Sequence, residues 1–134
     1  MLLDYKKIDP ELLPALEDFP ALDLNRDNIV KMRELLAQRP TVPSADAINE
    51  QEQVIDTKDG DLRVFIYRKT SAPNQPALLW VHGGGYILGN AEDERARVIA
   101  DAFDCTVVSV DYRLAPEAPF PAGPNDCYAV LEWM

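Results

Sequence analysis

Three consecutive glycines directly follow an apolar run, in the segment His82-Gly83-Gly84-Gly85-Tyr86. Glycines in a row indicate that the backbone approaches another group closely or adopts φ angles that a side chain would forbid. Two kinds of site use such a loop, the phosphate cradle and the oxyanion hole. In an oxyanion hole, backbone N–H groups point at the oxygen that becomes negative during acyl transfer. The segment therefore narrows the candidate chemistry to these two kinds of site.

The spacing around these glycines excludes a phosphate cradle. A P-loop requires a Lys and a Ser or Thr after its glycines, and the dinucleotide fingerprint requires a further glycine where Leu88 stands. An oxyanion hole remains, and a His-Gly-Gly-Gly loop is the device that lipases and esterases use for this purpose. Each donor in such a hole contributes about 3 kcal/mol of transition-state stabilisation in well-studied hydrolases.

The elements around the glycine loop alternate between strands and helices. The apolar run at residues 77–81 is predicted to be a strand buried on both faces, and residues 106–110 form a second such strand. Between them, Asn90 is predicted to cap a helix whose first turn carries Glu92 and Asp93. This helix is predicted to bury four apolar residues, Val98, Ile99, Ala102 and Phe103. The alternation predicts a parallel sheet with helical crossovers.

A proline-rich loop and another helix are predicted to follow the second strand. In that helix four residues recur at helical spacing, Cys127, Val130, Leu131 and Met134. On the N-terminal side of the glycine loop, residues 53–57 and 62–68 are predicted to form a hairpin around a turn at residues 58–61. Residues 71–76 are predicted to be a loop. The sequence thus places the glycine loop at the end of a central strand.

The first fifty residues are predicted to be helical and interrupted by prolines. Asp9 and Pro10 can start a short helix, and a longer one is predicted after Asn25, ending before Pro40. Its apolar face would comprise Ile29, Met32, Leu35 and Leu36. Such a helix covers either a core or a substrate site, and the sequence leaves both interpretations open.

Two blocks of sequence flank the predicted crossover helix and the strand at residues 106–110. The first is the glycine loop at residues 82–89, and the second is Asp111-Tyr112-Arg113-Leu114-Ala115-Pro116-Glu117. A third group continues the second block, with Pro119-Phe120-Pro121-Ala122, Asp126 and Trp133. In order and spacing, these blocks resemble the signatures of the hormone-sensitive-lipase-like family of α/β-hydrolase carboxylesterases. The resemblance covers residues 52–134 well and the helical start loosely.

The resemblance implies an α/β-hydrolase fold, a mostly parallel, eight-stranded sheet with helical crossovers and a helical cap. Residues 1–50 would form part of the cap, and residues 51–134 would form the N-terminal part of the core. The family hydrolyses short-chain acyl esters with a Ser-Asp-His triad. Carried over by position, Gly84 and Gly85 would be the oxyanion donors, and His82 and Gly83 would support the loop. We expect no metal and no other cofactor.

The catalytic triad of this fold is expected to lie outside the chain. Its nucleophile sits in Gly-x-Ser-x-Gly, and the acid and the histidine follow it along the chain. None of the three serines (Ser44, Ser71, Ser109) has those glycines. By resemblance, the nucleophile elbow follows the helix of Trp133, so the chain is expected to be truncated before it. His82 is the only histidine, and it precedes that position, as do Asp111 and Asp126. Arg113 and Glu117 are predicted to tie down their loop by charge-assisted hydrogen bonds.

Three functions remain open from the sequence. The first, which we favour, is an N-terminal fragment of a carboxylesterase that supplies the oxyanion loop without the triad. The second is a non-catalytic module that binds a small molecule, and the third is one half of a split hydrolase. By resemblance, the strand at residues 77–81 would pair with the absent strand that leads into the nucleophile. Its open edge therefore predicts self-association, because unpaired edges template pairing with other chains.

Composition and charge limit the classes of binding partner and the cellular location that can be expected. The chain has 134 residues and a formal net charge of -10, which opposes binding to nucleic acid or to an anionic membrane surface. No apolar stretch is long enough to span a bilayer, and the N-terminus has no signal-peptide pattern. Two cysteines, Cys105 and Cys127, make neither a disulfide framework nor a metal cluster. The expected location is therefore the cytoplasm, and the expected partner of a complete enzyme is a small acyl ester.

Overall fold

The computed structural model describes residues 5–17, 24–37, 48–72 and 74–134. The predicted end of the second helix before Pro40 falls outside these ranges. The N-terminal segment contains two 3-10 turns, Tyr5–Lys7 and Pro10–Leu12, and the helices α1, Leu13–Glu17, and α2, Ile29–Ala37. The following elements are β1, Asn49–Thr57; β2, Gly60–Arg68; β3, Ala77–Trp80; α3, Glu94–Phe103; β4, Thr106–Val110; and α4, Ala122–Trp133. No helix within the described ranges is long and apolar enough to cross a membrane.

The four strands form one mixed sheet in the order β1-β2-β4-β3. β3 and β4 are parallel and connected through α3, which confirms the predicted crossover. The β1–β2 and β2–β4 pairs are antiparallel. The described strands therefore include one parallel pair, whereas the whole sheet is predicted to be mostly parallel. The reason is local, because β1 and β2 form a hairpin and β2 then runs against β4.

The hairpin is longer, and its turn tighter, than predicted. Thr57 pairs with Gly60, so only Lys58 and Asp59 lie between the strands, where the sequence predicted a turn over residues 58–61. Gly60 has a φ of 111°, a value that L side chains rarely adopt. The Thr57 hydroxyl donates to the Gly60 carbonyl at 2.6 Å and accepts from the Asp59 amide. Gly60, the first residue of β2, therefore supplies the backbone conformation that the tight turn requires.

Apolar side chains fill both faces of the sheet. One cluster, which packs with α4, comprises Ile55, Leu62, Val64, Ile66, Val108, Val110, Tyr112 and Val130. The other, which packs with α3, comprises Phe65, Tyr67, Ala91, Ala96, Ala100, Cys105 and Val107. Alternate residues of β2 and β4 contribute to opposite clusters because successive strand side chains point to opposite faces.

The start and the buried face of α3 differ from the prediction. Asp93, not Asn90, caps the helix, and its carboxylate accepts a hydrogen bond from the Arg95 amide at 3.0 Å. The residues buried on α3 are Ala96 and Ala100, while three of the predicted four, Val98, Ala102 and Phe103, are exposed and Ile99 is half-buried. The two alanines lie one turn apart and belong to the same buried cluster as Phe65 and Tyr67 of β2.

Burial of β3 is also weaker than predicted. Ala77 is exposed, and the other three residues of the strand are half-buried. β3 is one of the two edge strands of the sheet in the described part of the chain, so it has a neighbour on one side only. In α2 and α4, residues Ile29 and Val130 are buried, whereas Leu35, Leu131 and Met134 of the predicted apolar faces are exposed. A strand or helix face is buried only where another element covers it.

Candidate oxyanion site

The glycine loop leaves the end of β3 and folds into a tight turn. The carbonyl of Gly84 accepts hydrogen bonds from the amides of Ile87 at 3.1 Å and Leu88 at 3.0 Å. Gly84, Gly85 and Tyr86 have φ values of 129°, 63° and 63°. Three successive positive φ values reverse the chain within a few residues. The turn therefore depends on backbone conformations that favour glycine.

The three glycines are required to different degrees. A Cβ on Gly84 would lie 2.1 Å from the carbonyl oxygen of Leu88, so no side chain fits there without moving the turn. A Cβ on Gly85 would meet no atom within 4 Å, and only its left-handed φ favours glycine. Gly83 has neither constraint. The requirement for glycine thus has a different physical reason at Gly84 than at Gly85, and Gly83 shows no such requirement.

The backbone N–H groups of Gly84 and Gly85 make no hydrogen bond among the described residues. Both residues are exposed. An oxyanion donor must be free in this way, because a hydrogen bond inside the protein would compete with the substrate oxygen. The arrangement is chemically suited to binding a carbonyl oxygen that gains negative charge.

His82 lies beneath the loop and is 4% exposed. Its Nδ1 atom lies 3.0 Å from the Gly83 carbonyl oxygen, and its ring stacks on Tyr112 with 4.1 Å between ring centroids. The Tyr112 hydroxyl donates to the His82 carbonyl at 2.7 Å, and burial raises the pKa of Tyr112 to about 12, so this hydroxyl remains a donor. A Cβ on Gly89 would lie 2.4 Å from His82 Nδ1. These contacts fit the support role that the resemblance implies for His82.

The second sequence block is joined directly to the glycine loop. The amide of Ala115 donates to the Tyr86 carbonyl at 2.9 Å. The rings of Tyr86 and Tyr112 lie 5.8 Å apart, and both contact the position of Gly123, where a Cβ would come within 3.2 Å of each ring. The glycine loop therefore packs against the block at residues 111–117.

Asp126, a residue of α4, holds the block at residues 111–117 through Arg113. Its carboxylate is 3% exposed and accepts from the Arg113 amide at 2.9 Å and from the Arg113 guanidinium, the shortest distance being 2.6 Å. The sequence predicted that Arg113 ties down its loop but did not identify this partner. Asp111 instead pairs with Arg63 at 2.8 Å. Each of the two aspartates that could suggest a triad acid thus holds an arginine.

Replacing Asp126 with Asn should destabilise the fold. The substitution removes the charge from a buried group that accepts several charge-assisted hydrogen bonds. Because the Arg113 side chain is 43% exposed, water can partly solvate the orphaned cation, and the expected loss in free energy of unfolding is about 2 kcal/mol. Urea unfolding measures it.

The matched control for that substitution is Asp101→Asn. Asp101 pairs with Lys69 at 2.9 Å, and both side chains are substantially exposed. Exposed pairs contribute little to stability, so the control should leave the urea unfolding midpoint close to that of the parent protein. Equal unfolding midpoints for the two variants would show that the Asp126 anchor does not stabilise the fold.

A residue that the sequence interpretation missed, Arg33, reaches the site from α2. Its Nε donates to the Ile87 carbonyl at 2.9 Å, and its Nη2 donates to the Ala115 carbonyl at 2.7 Å. The same guanidinium pairs with both carboxylate oxygens of Glu117, at 2.8 and 3.0 Å. The hydrogen bond from Arg33 holds the pKa of Glu117 below its usual value. Glu117, predicted to tie down its own loop, therefore ties that loop to the helical segment.

Comparisons with known proteins agree with the fold. A family model described as alpha/beta hydrolase fold matches residues 78–134. The esterase LipI of Mycobacterium tuberculosis is 36% identical over 132 residues, which are 95% of this chain and 41% of that protein. The carboxylesterase NlhH of the same organism is 38% identical over 132 residues, with the same coverage.

A solved structure shows the same fold at similar coverage. The esterase LipW from Mycobacterium marinum superimposes with a TM-score of 0.78 at 33% identity, covering 96% of this chain and 42% of that one. The chain therefore spans about two fifths of the length of the relatives that it matches.

Proposed function

Because the chain belongs to the α/β-hydrolase family, we propose that it supplies the oxyanion loop of a carboxylesterase that hydrolyses short-chain acyl esters. The observation that carries this proposal is that Gly84 and Gly85 are exposed residues whose N–H groups donate to no acceptor among the described residues. They lie at the carboxyl end of β3, where ligands bind in open α/β sheets. In this proposal the two groups donate to the ester oxygen as it becomes an oxyanion.

The loop is preorganised for this role. The closed turn, the buried His82 ring and the bond from Ala115 to Tyr86 hold the backbone before any substrate arrives. Donors fixed in advance stabilise developing charge without reorganising during the reaction, and this is the main source of their catalytic effect. The same backbone would bind a ground-state carbonyl less strongly, since that oxygen carries less charge.

The nucleophile, the acid and the base are proposed to come from the part of the fold that the relatives possess beyond the matched two fifths. The outer edge of β3 has no partner strand among the described residues. In our proposal the strand that leads into the nucleophile pairs there, which places its serine beside the glycine loop. When that strand is absent, the open edge leads the chain to self-associate.

An apolar cavity supports the substrate class. It has a volume of about 250 Å³ and lies between α2 and the two loops. Its lining residues are Leu24, Asn25, Arg26, Ile29, Ile87, Ala115 and Pro116. A space of this size accommodates a small acyl or alkyl group. We propose that it receives the apolar part of a short-chain ester.

The cysteines support a cytoplasmic location within this proposal. Cys105 is buried and Cys127 half-buried, and both are free thiols. Burial raises the pKa of the Cys127 thiol to about 11, so little reactive thiolate forms near neutral pH. Unpaired thiols suit a reducing compartment.

Reading the coding DNA beyond the codon for Met134 tests the proposal. We expect a stretch encoding Gly-x-Ser-x-Gly shortly downstream, in frame or after a frameshift, followed by an acidic residue and a histidine. Absence of any such stretch would favour the binding module, and a separate gene that encodes it would favour the split hydrolase. In the experiments below, the completed hydrolase is this chain joined after Met134 to the part of NlhH that lies beyond the matched residues.

A further inference from the structure

We propose that Arg33 is a positioning residue for the oxyanion loop, through which the N-terminal helix α2 fixes the orientation of the glycine backbone. The inference rests on the proposed function, because it assigns Arg33 to the same site. It starts from one guanidinium that binds two carbonyls and one carboxylate from three separate positions, Ile87, Ala115 and Glu117.

The glycine loop requires such a restraint. Residues 84–86 all have positive φ values, and glycine populates both signs of φ with little cost. A peptide plane next to a glycine can therefore rotate, which would turn an N–H donor away from the substrate. The Ile87 carbonyl lies directly after this stretch, and Arg33 Nε holds it at 2.9 Å. Fixing that peptide plane limits rotation in the turn that precedes it.

The guanidinium is itself held firmly. Both carboxylate oxygens of Glu117 accept from it in a two-bond arrangement that arginine, with its planar fork, forms better than lysine. The Glu117 side chain is 53% exposed, so solvent screens this ion pair, whereas the bonds from Arg33 to the Ile87 and Ala115 carbonyls are partly buried. Its bond to the Ala115 carbonyl adds to the bond between the Ala115 amide and Tyr86. The two loops and α2 thus form one hydrogen-bonded unit, called the Arg33 clamp below.

The first test measures amide hydrogen exchange in the 134-residue chain with Arg33→Met, which keeps an apolar stem of similar length and removes every donor. We expect the Ile87 and Leu88 amides, which close the turn, to exchange at least about tenfold faster. Exchange in β4 should stay unchanged, which separates a local effect from global unfolding. Lys31→Met, an exposed position on the same helix, is the matched control and should change neither.

The second test measures ester hydrolysis by the completed hydrolase. Arg33→Met should lower kcat about tenfold while KM changes less than about twofold, since a misdirected donor affects the transition state more than substrate binding. Arg33→Lys should recover part of kcat, because an ammonium can reach one carbonyl but cannot form the planar fork. A residue with a purely structural role would not produce this division between kcat and KM.

Several results would overturn the proposal. These are unchanged exchange at Ile87 and Leu88, an unchanged kcat, or a raised KM at constant kcat in Arg33→Met. If that variant does not fold, Glu117→Gln replaces it. It should change the exchange rates and kcat in the same directions by smaller factors, and the same results would overturn the proposal. If the completed hydrolase is inactive with Arg33 intact, the proposed function fails, and the exchange experiment alone decides on the Arg33 clamp.

Discussion

In the completed hydrolase, Gly84→Ala should lower the turnover number for a short-chain nitrophenyl ester by about 10²–10³-fold, the loss expected for one oxyanion donor. The added Cβ would lie 2.1 Å from the Leu88 carbonyl oxygen, which itself belongs to the turn backbone. Neither atom can move without displacing the peptide that carries the Gly84 N–H. The donor therefore leaves its position although no hydrogen-bonding group has been deleted.

Gly85→Ala should act in the same direction by a different route. No atom lies within 4 Å of the new Cβ, but the φ of 63° costs an alanine roughly 1–2 kcal/mol. The chain can relieve this strain by rotating the peptide that holds the second donor. In addition, a methyl group at this exposed position would crowd the substrate carbonyl.

The readout for both variants is the division between kcat and KM. Loss of a transition-state contact lowers kcat and kcat/KM together, whereas loss of ground-state binding raises KM. Gly83→Ala serves as the folding control, because its Cβ meets no atom and its φ is ordinary. Its thermal unfolding should match that of the parent protein. Unchanged turnover in both Gly84→Ala and Gly85→Ala would remove these glycines from the site.

Local sequence patterns predicted most of the elements. β4 lies at Thr106–Val110 as predicted, and β3 ends one residue earlier than predicted. Both strands could be located because each is a short, mostly apolar run bounded by loop residues. The glycine loop could be located from sequence because positive φ values and a close backbone approach demand a residue without Cβ. The helical start also followed from local patterns of proline, capping and apolar residues. Family resemblance supplied the eight-stranded sheet and the assignment of residues 1–50 to a cap.

Buried faces could not be predicted from single elements. In α3, the sequence favoured the bulky residues Val98 and Phe103, but the sheet contacts the small Ala96 and Ala100. The predicted burial of β3 on both faces assumed neighbours that the described residues do not supply. Burial is a property of the packed pair of surfaces, so an apolar residue alone does not decide it.

The contacts of Arg33 show a second limit. Its three partners lie 54, 82 and 84 positions away along the chain, so no local spacing indicates them. An arginine on an amphipathic helix is ordinarily a solvated surface residue. Only the folded chain places α2 next to the glycine loop and the block at residues 111–117, where the Arg33 guanidinium can bond to their carbonyls.

The largest expected effect is the difference between this chain and the completed hydrolase. Loss of the nucleophile or the base of a serine hydrolase lowers kcat by about 10⁶-fold, even when the oxyanion hole remains. This chain has no serine in a Gly-x-Ser-x-Gly sequence, and its only histidine is buried beneath the glycine loop. Two free N–H donors stabilise an oxyanion only if a nucleophile first attacks the ester.

The decisive measurement is the steady-state hydrolysis of a short-chain nitrophenyl ester by both proteins at matched concentration. The completed hydrolase should show saturable turnover that Gly84→Ala largely removes. The purified 134-residue chain should hydrolyse the ester no faster than buffer containing the same amount of denatured protein. Saturable turnover by the chain alone that survives repurification, or a completed hydrolase that does not respond to Gly84→Ala, would contradict the account.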